Sequence, residues 1–202
     1  MLSNKFLILS ILGILLISPG VTQAEKMHGL AMHGVPKYDK NFTHLSYVNP
    51  SAPKGGTLRF GSYGSFDNLN RVAFKGSKAS GLGYINDTLM RRVWDEAFTL
   101  YGLIAEYIEM PEDRSSITFF INPDARFHDG STITRDDVLF SLHTFQTKGT
   151  PNQKKTYGKV VETQMIGDNG IKMIFIDNED KELPLIVAGF LPIIPKKYYE
   201  AI

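Results

Sequence analysis

An α/β fold is predicted by three observations. Two pairs of strand-like segments are joined by short polar turns, a capping pattern between them marks a helix start, and 43% of the 202 residues are apolar, enough for a packed core. The first pair, residues 105–110 and 116–121, is joined by Pro111-Glu112-Asp113-Arg114-Ser115, a connection of hairpin length. Phe127-His128-Asp129-Gly130 makes the next turn, with Gly130 at positive φ, Asp129 closing it by an Asx bond and Phe127 packed below. In Thr134-Arg135-Asp136-Asp137, Thr134 accepts from a free first-turn amide while Asp137 reaches back three residues, which is a capping box. Val138, Leu139, Leu142 and Phe145 then recur at helical spacing, and Gly149-Thr150-Pro151 closes the helix. The second pair, 159–166 and 170–177, turns at Gly167-Asp168-Asn169.

On either side of this block the pattern changes. Lys5 is the only charge in the first 24 residues, an apolar run follows it, and Thr22 and Ala24 are small, so residues 1–24 read as a secretory signal peptide cleaved after Ala24. Pro19-Gly20 interrupts the run short of the roughly 20 apolar residues that a membrane span needs. Residues 25–56, rich in His, Gly, Pro and Asn, read as an ordered arm pinned by Phe42, Leu45, Tyr47 and Val48. Thr57-Leu58-Arg59-Phe60-Gly61 alternates as a strand does, and 62–70 is its turn-prone exit. Residues 84–92 read as a short helix with Ile85, Leu89 and Val93 on one face. The run 187–194 reads as core on an extended path fixed by Pro192 and Pro195, with Lys196 to Tyr199 as its wet edge.

Charge and composition exclude several functions. Lys and Arg total 22 against 21 Asp and Glu, a balance unlike that of a protein held to nucleic acid by phosphate neutralisation. The absence of cysteine removes disulfides, thiol nucleophiles, iron–sulfur ligation and cysteine-based zinc sites. His28 and His33 stand in an irregular arm and His128 and His143 on separate elements, without the carboxylate–histidine spacing of a metal site, so neither metal nor cofactor is expected.

Asn49-Pro50-Ser51-Ala52-Pro53-Lys54-Gly55-Gly56, Phe66-Asp67-Asn68-Leu69-Asn70, Phe127-His128-Asp129-Gly130 and Asp136-Asp137-Val138-Leu139-Phe140-Ser141 together resemble the family 5 extracellular solute-binding proteins of ABC transporters, which serve peptide, oligopeptide and nickel importers. His28-Gly29-Leu30-Ala31-Met32-His33-Gly34 and the stretch from Asp95 to Glu106 are similar to a YejA-type branch associated with oligopeptides and peptide-nucleotide antibiotics such as microcin C. That branch usually carries Pro where this sequence has Ala97. The resemblance implies an incomplete type II periplasmic binding protein of cluster C. Its expected division is residues 1–24 as signal, 25–56 as arm, and 57–202 as a first-lobe strand plus an accessory α/β domain, the second lobe being absent. It implies a periplasmic, monomeric protein that binds peptide by main-chain contacts and hands it to an inner-membrane ABC permease. The rival expectation is a truncated, non-transporting remnant or an interaction module, because a cleft with one wall desolvates little of a ligand.

The candidate ligand contacts follow from this. Ser62, Tyr63, Gly64, Ser65 and Phe66 match the segment that pairs with bound peptide in relatives, and glycines at 61 and 64 suit close backbone approach, although an ordinary strand-to-loop turn uses the same residues. Asp95 and Glu96, beside Tyr101, could receive a peptide's ammonium group by charge-assisted hydrogen bonds. A solvated acidic pair bound to Arg91 or Arg92 is the alternative. No base, nucleophile or oxyanion device accompanies these carboxylates, so no enzymatic activity is expected.

Overall fold

A computed structural model describes residues 25–72, 75–177 and 179–201, so the signal-peptide expectation for residues 1–24 lies outside the described residues. Among these residues eight strands form two antiparallel sheets. β1 (Lys26–Met27), β5 (Ala105–Glu109), β6 (Ser116–Ile121), β7 (Val160–Ile166) and β8 (Gly170–Phe175) build a five-stranded sheet in the order β1-β5-β6-β8-β7. β2 (Gly29–Ala31), β3 (Met90–Arg92) and β4 (Thr99–Gly102) build a three-stranded one in the order β2-β4-β3. The chain crosses between sheets twice, at His28 and between β4 and β5, where the Leu103 and Ala105 amides both donate to the Leu89 carbonyl at 3.2 and 2.9 Å.

Both expected hairpins form, and period-2 alternation sets which residues they bury. Ile117 opposes Met173 and Phe119 opposes Ile171, and all four are fully buried. On the other face Tyr107 and Phe120 lie opposite each other with rings stacked at 4.4 Å, and Lys26 Nζ sits 4.5 Å above the Tyr107 ring. Helix α1 (Arg135–Lys148) starts at the Thr134–Asp137 capping box and sends Val138, Leu142 and Phe145 into the same core. Arg114, at φ 58°, donates to the carbonyls of Ala31, Met32 and Lys181 and so ties β2 to the loop before the third helix.

Four expectations are corrected. Residues 57–61 form no strand: a strand exists through its ladder, and among the described residues no segment pairs with this one, so Leu58 and Phe60 stay exposed. The helix expected over 84–92 is instead a single 3₁₀ turn (Leu82–Tyr84) followed by β3, because pairing of Met90–Arg92 with β4 buries Leu89 and Met90 completely. Thr150-Pro151 does not simply end α1: Thr150 caps a new helix, α2 (Pro151–Tyr157), with Gln153 completing the box and Pro151 in the first turn, where its missing N–H costs nothing. The apolar tail is not extended throughout, since α3 (Leu183–Phe190) packs on β3 and β4 before an extended run reaches α4 (Lys196–Glu200).

The Phe127–Gly130 turn forms as expected. Gly130 has φ 84°, and Asp129 accepts from the Ser131 amide at 2.9 Å and hydroxyl at 2.6 Å, which lowers its carboxyl pKa. His128 adds a bond from its ring to the Ile85 carbonyl.

Candidate functional site

The expected contact residues fall into two separate groups, and no hydrogen bond joins one to the other among the described residues. Ser62, Tyr63, Gly64, Ser65 and Phe66 line a cavity of about 230 Å³ with Ala79 and Ser80. The loop that carries them is closed by links that include the Ser62 and Ser80 hydroxyls at 2.6 Å, Asp67 accepting from the Ser77 amide and donating its own amide to the Ser77 carbonyl, and Asn68 bridging to Lys78. Gly64 has φ 101°, a conformation that side-chain-bearing residues rarely take, with nothing within 4 Å of the position a Cβ would occupy. Tyr63 and Phe66 are exposed, and the backbone from 57 to 63 makes no ladder. Among the described residues, the amides and carbonyls of this stretch have no ladder partner, and they stand beside a small recess.

The second group is tightly bonded. Asp95, Glu96 and Tyr101 share one network, and the partners of the two carboxylates come from the arm and from Tyr101 rather than from Arg91 or Arg92; Arg91 instead lies 3.7 Å from Asp87. Asp95 Oδ2 accepts from Lys37 Nζ at 2.7 Å, the Tyr38 hydroxyl at 2.5 Å and the Ser46 hydroxyl at 2.7 Å. These donors, Lys37 foremost, hold the Asp95 carboxyl well below the usual carboxylate range. Asp95 in turn raises the Lys37 ammonium. Glu96 accepts from the Lys37 amide at 2.9 Å and from the Tyr101 hydroxyl at 2.6 Å. Burial, then the bond to Glu96, pushes the Tyr101 phenol up to about 12.

Sequence reasoning missed Lys37, Tyr38, Ser46 and His28, because the arm carries no periodic pattern and only tertiary contact places it beside β4. It also treated the Phe127–Gly130 turn as structural alone. That turn, the start of α1 and α4 frame an open cleft of about 710 Å³ whose lining includes Asp129, Asp136, Lys196 and Lys197.

The chain, two antiparallel sheets with helices on one core, has the fold of part of a type II periplasmic binding protein. Its fold matches that of a periplasmic oligopeptide-binding protein from Thermotoga maritima solved with bound mannohexaose, at TM-score 0.52 and 19% identity, over 62% of this chain and 23% of the other. Residues 99–201 match the model of the bacterial extracellular solute-binding proteins, family 5, middle region. The chain belongs to that family. It is 39% identical over 196 residues to the peptidoglycan-binding protein YepA of Agrobacterium fabrum, covering 93% of this chain and 32% of YepA. It is 37% identical over 203 residues to the probable peptide-binding protein YejA of the same organism, covering 98% of this chain and 33% of YejA. The chain thus spans about a third of the length of these relatives.

Proposed function

We propose that the chain carries part of the substrate-binding component of an ABC importer that takes peptides or peptide-like compounds from the periplasm and passes them to an inner-membrane permease. Family membership and relatives named as peptide- and peptidoglycan-binding support this reading, and the exposed, unladdered backbone at Ser62–Phe66 is the observation that carries it to particular residues. An extended peptide laid along that stretch would complete a β-type pairing, with side-chain preference left to pockets. Export by the segment 1–24, removal of that segment and a monomeric state belong to the same proposal, as does the absence of catalysis.

The test is peptide binding with Gly64 varied. Gly64→Ala places a side chain on a backbone at φ 101°, so the loop must change path to relieve strain, yet the loop lies outside the core. A mixture of tri- to pentapeptides, read by native mass spectrometry, should give bound species with the unmodified chain and about tenfold fewer with Gly64→Ala, whose strain costs about 1 kcal/mol or more while the melt stays cooperative. Equal occupancy in both would remove the Ser62–Phe66 stretch from the site. No bound peptide at all would favour the second reading, a non-transporting remnant or interaction module, which the small size of the recess supports.

A further inference from the structure

We propose that Lys37–Tyr38 is a tethered ligand: it fills a site formed on the body by His28, Asp95, Glu96 and Tyr101 whose chemistry recognises a basic–aromatic step of an extended peptide, and an arriving peptide of that kind displaces it. The inference rests on the reading of the chain as a peptide binder and adds a second subsite with a stated preference.

The contacts are those of peptide recognition. Both main-chain amides of the step are taken by fixed side chains, Lys37 N–H by Glu96 at 2.9 Å and Tyr38 N–H by the Tyr101 hydroxyl at 3.0 Å. The Tyr38 carbonyl meets the His28 ring nitrogen at 2.8 Å. No sheet ladder contributes, so the body reads this dipeptide as it would read a separate chain. Side-chain chemistry is specified too: one carboxylate, Asp95, takes both the Lys37 ammonium and the Tyr38 phenol, and the Tyr38 ring meets Tyr101 edge-on at 5.6 Å between centroids. Charge-assisted bonds of this kind are roughly twice as strong as neutral ones.

The strap also has no regular structure of its own. Residues 32–56 form neither helix nor strand, and their backbone bonds to one another close only short turns such as Phe42 to Asp39 and Val48 to Leu45. Beyond the dipeptide, the arm is tied to the body by the Ser46 hydroxyl donating to Asp95 at 2.7 Å, the Met32 amide to the Phe98 carbonyl at 3.0 Å, Arg114 to the Met32 carbonyl at 3.1 Å and the Trp94 amide to the Tyr47 hydroxyl at a long 3.4 Å, and the Phe42 ring leans on Tyr101, while most of residues 33–56 stay exposed. Segments with few buried contacts open at a small fraction of the global unfolding free energy. A short tether presents its ligand at about millimolar effective concentration, so removing the tethered side chains should unmask the site to a free peptide.

The probe is the tripeptide Lys-Tyr-Gly with a fluorophore on its C-terminus, read by anisotropy on the full chain. Lys37→Ala/Tyr38→Ala should bind it about tenfold or more tighter than the unmodified chain, and adding Asp95→Asn should abolish the gain. In the unmodified chain, excess probe should speed hydrogen exchange at the amides of residues 37 and 38. No gain in affinity together with unchanged exchange overturns the proposal, as does loss of a cooperative melt in the double variant, which would make the arm integral to the fold. A gain that survives Asp95→Asn but falls with Gly64→Ala overturns it while leaving the Ser62–Phe66 site standing. Absence of probe binding in every variant counts against both.

Discussion

Asp137 and Ser141 stand one helical turn apart on α1, and each holds an amide from the chain's far end. Asp137 spends one oxygen on the capping box and gives the other to the Lys196 amide at 2.9 Å; Ser141, fully buried, donates to the Asp137 carbonyl and accepts from the Ile194 amide at 2.9 Å. Ser141→Ala leaves that buried amide without a partner, which costs about 1–3 kcal/mol. Urea unfolding monitored by circular dichroism should show that loss at an unchanged m-value; a change under about 0.5 kcal/mol would mean water replaces the hydroxyl. At the surface, Asp95 is held below its unfolded pKa of about 3.9, so its contribution is complete above that pH and is lost as pH falls toward its folded pKa. The Tm difference between the unmodified chain and Asp95→Asn should therefore shrink as pH is lowered from about 5 to about 2. Asp113, Asp129 and Asp180, also lowered, are common to both proteins and cancel. A difference that stays constant would show that the network depends on hydrogen bonding without charge.

At the scale of the element, legibility followed locality. The 105–121 and 160–175 hairpins and α1 were readable because alternation, a turn and a capping box are written within a few consecutive residues. α2 was also written locally, as Thr-Pro-x-Gln, but the same Pro that starts a helix reads as the end of the one before it. β3 and the 57–61 segment failed in opposite directions, since each depends on whether a distant partner is present, and the sequence carries no local record of that. Of the candidate site, the acidic pair and Tyr101 were legible as adjacent polar groups, while Lys37 and Tyr38 lie 58 and 63 residues from the groups they bind. Phe119 tests the hairpin core most directly: fully buried between β5 and β8, it should cost about 3–5 kcal/mol on replacement by Ala, measured by urea unfolding. A loss under about 1.5 kcal/mol would mean that the sheet collapses into the void and that its packing is looser than its burial suggests.

For the whole molecule, the question is what the exposed apolar run between the arm and the first turn does in water. Leu58 and Phe60 are 77% and 76% exposed, and Tyr63, Phe66 and Leu69 follow them on the same open stretch. A backbone with alternating apolar side chains and unpaired amides is a template for pairing with another chain. The monomeric state expected from the resemblance therefore depends on that stretch being covered by peptide or by further polypeptide; left open, it is free to pair with a second copy. Sedimentation velocity on the isolated chain should show association that grows with concentration, and Leu58→Lys/Phe60→Lys should return it to monomer with Tm unchanged, because neither side chain enters the core. Peptide that occupies Ser62–Phe66 should suppress the same association. Association that persists in the double variant would move the contact to another surface, the Phe98 and Phe190 patch beside α3 being the next exposed apolar candidate.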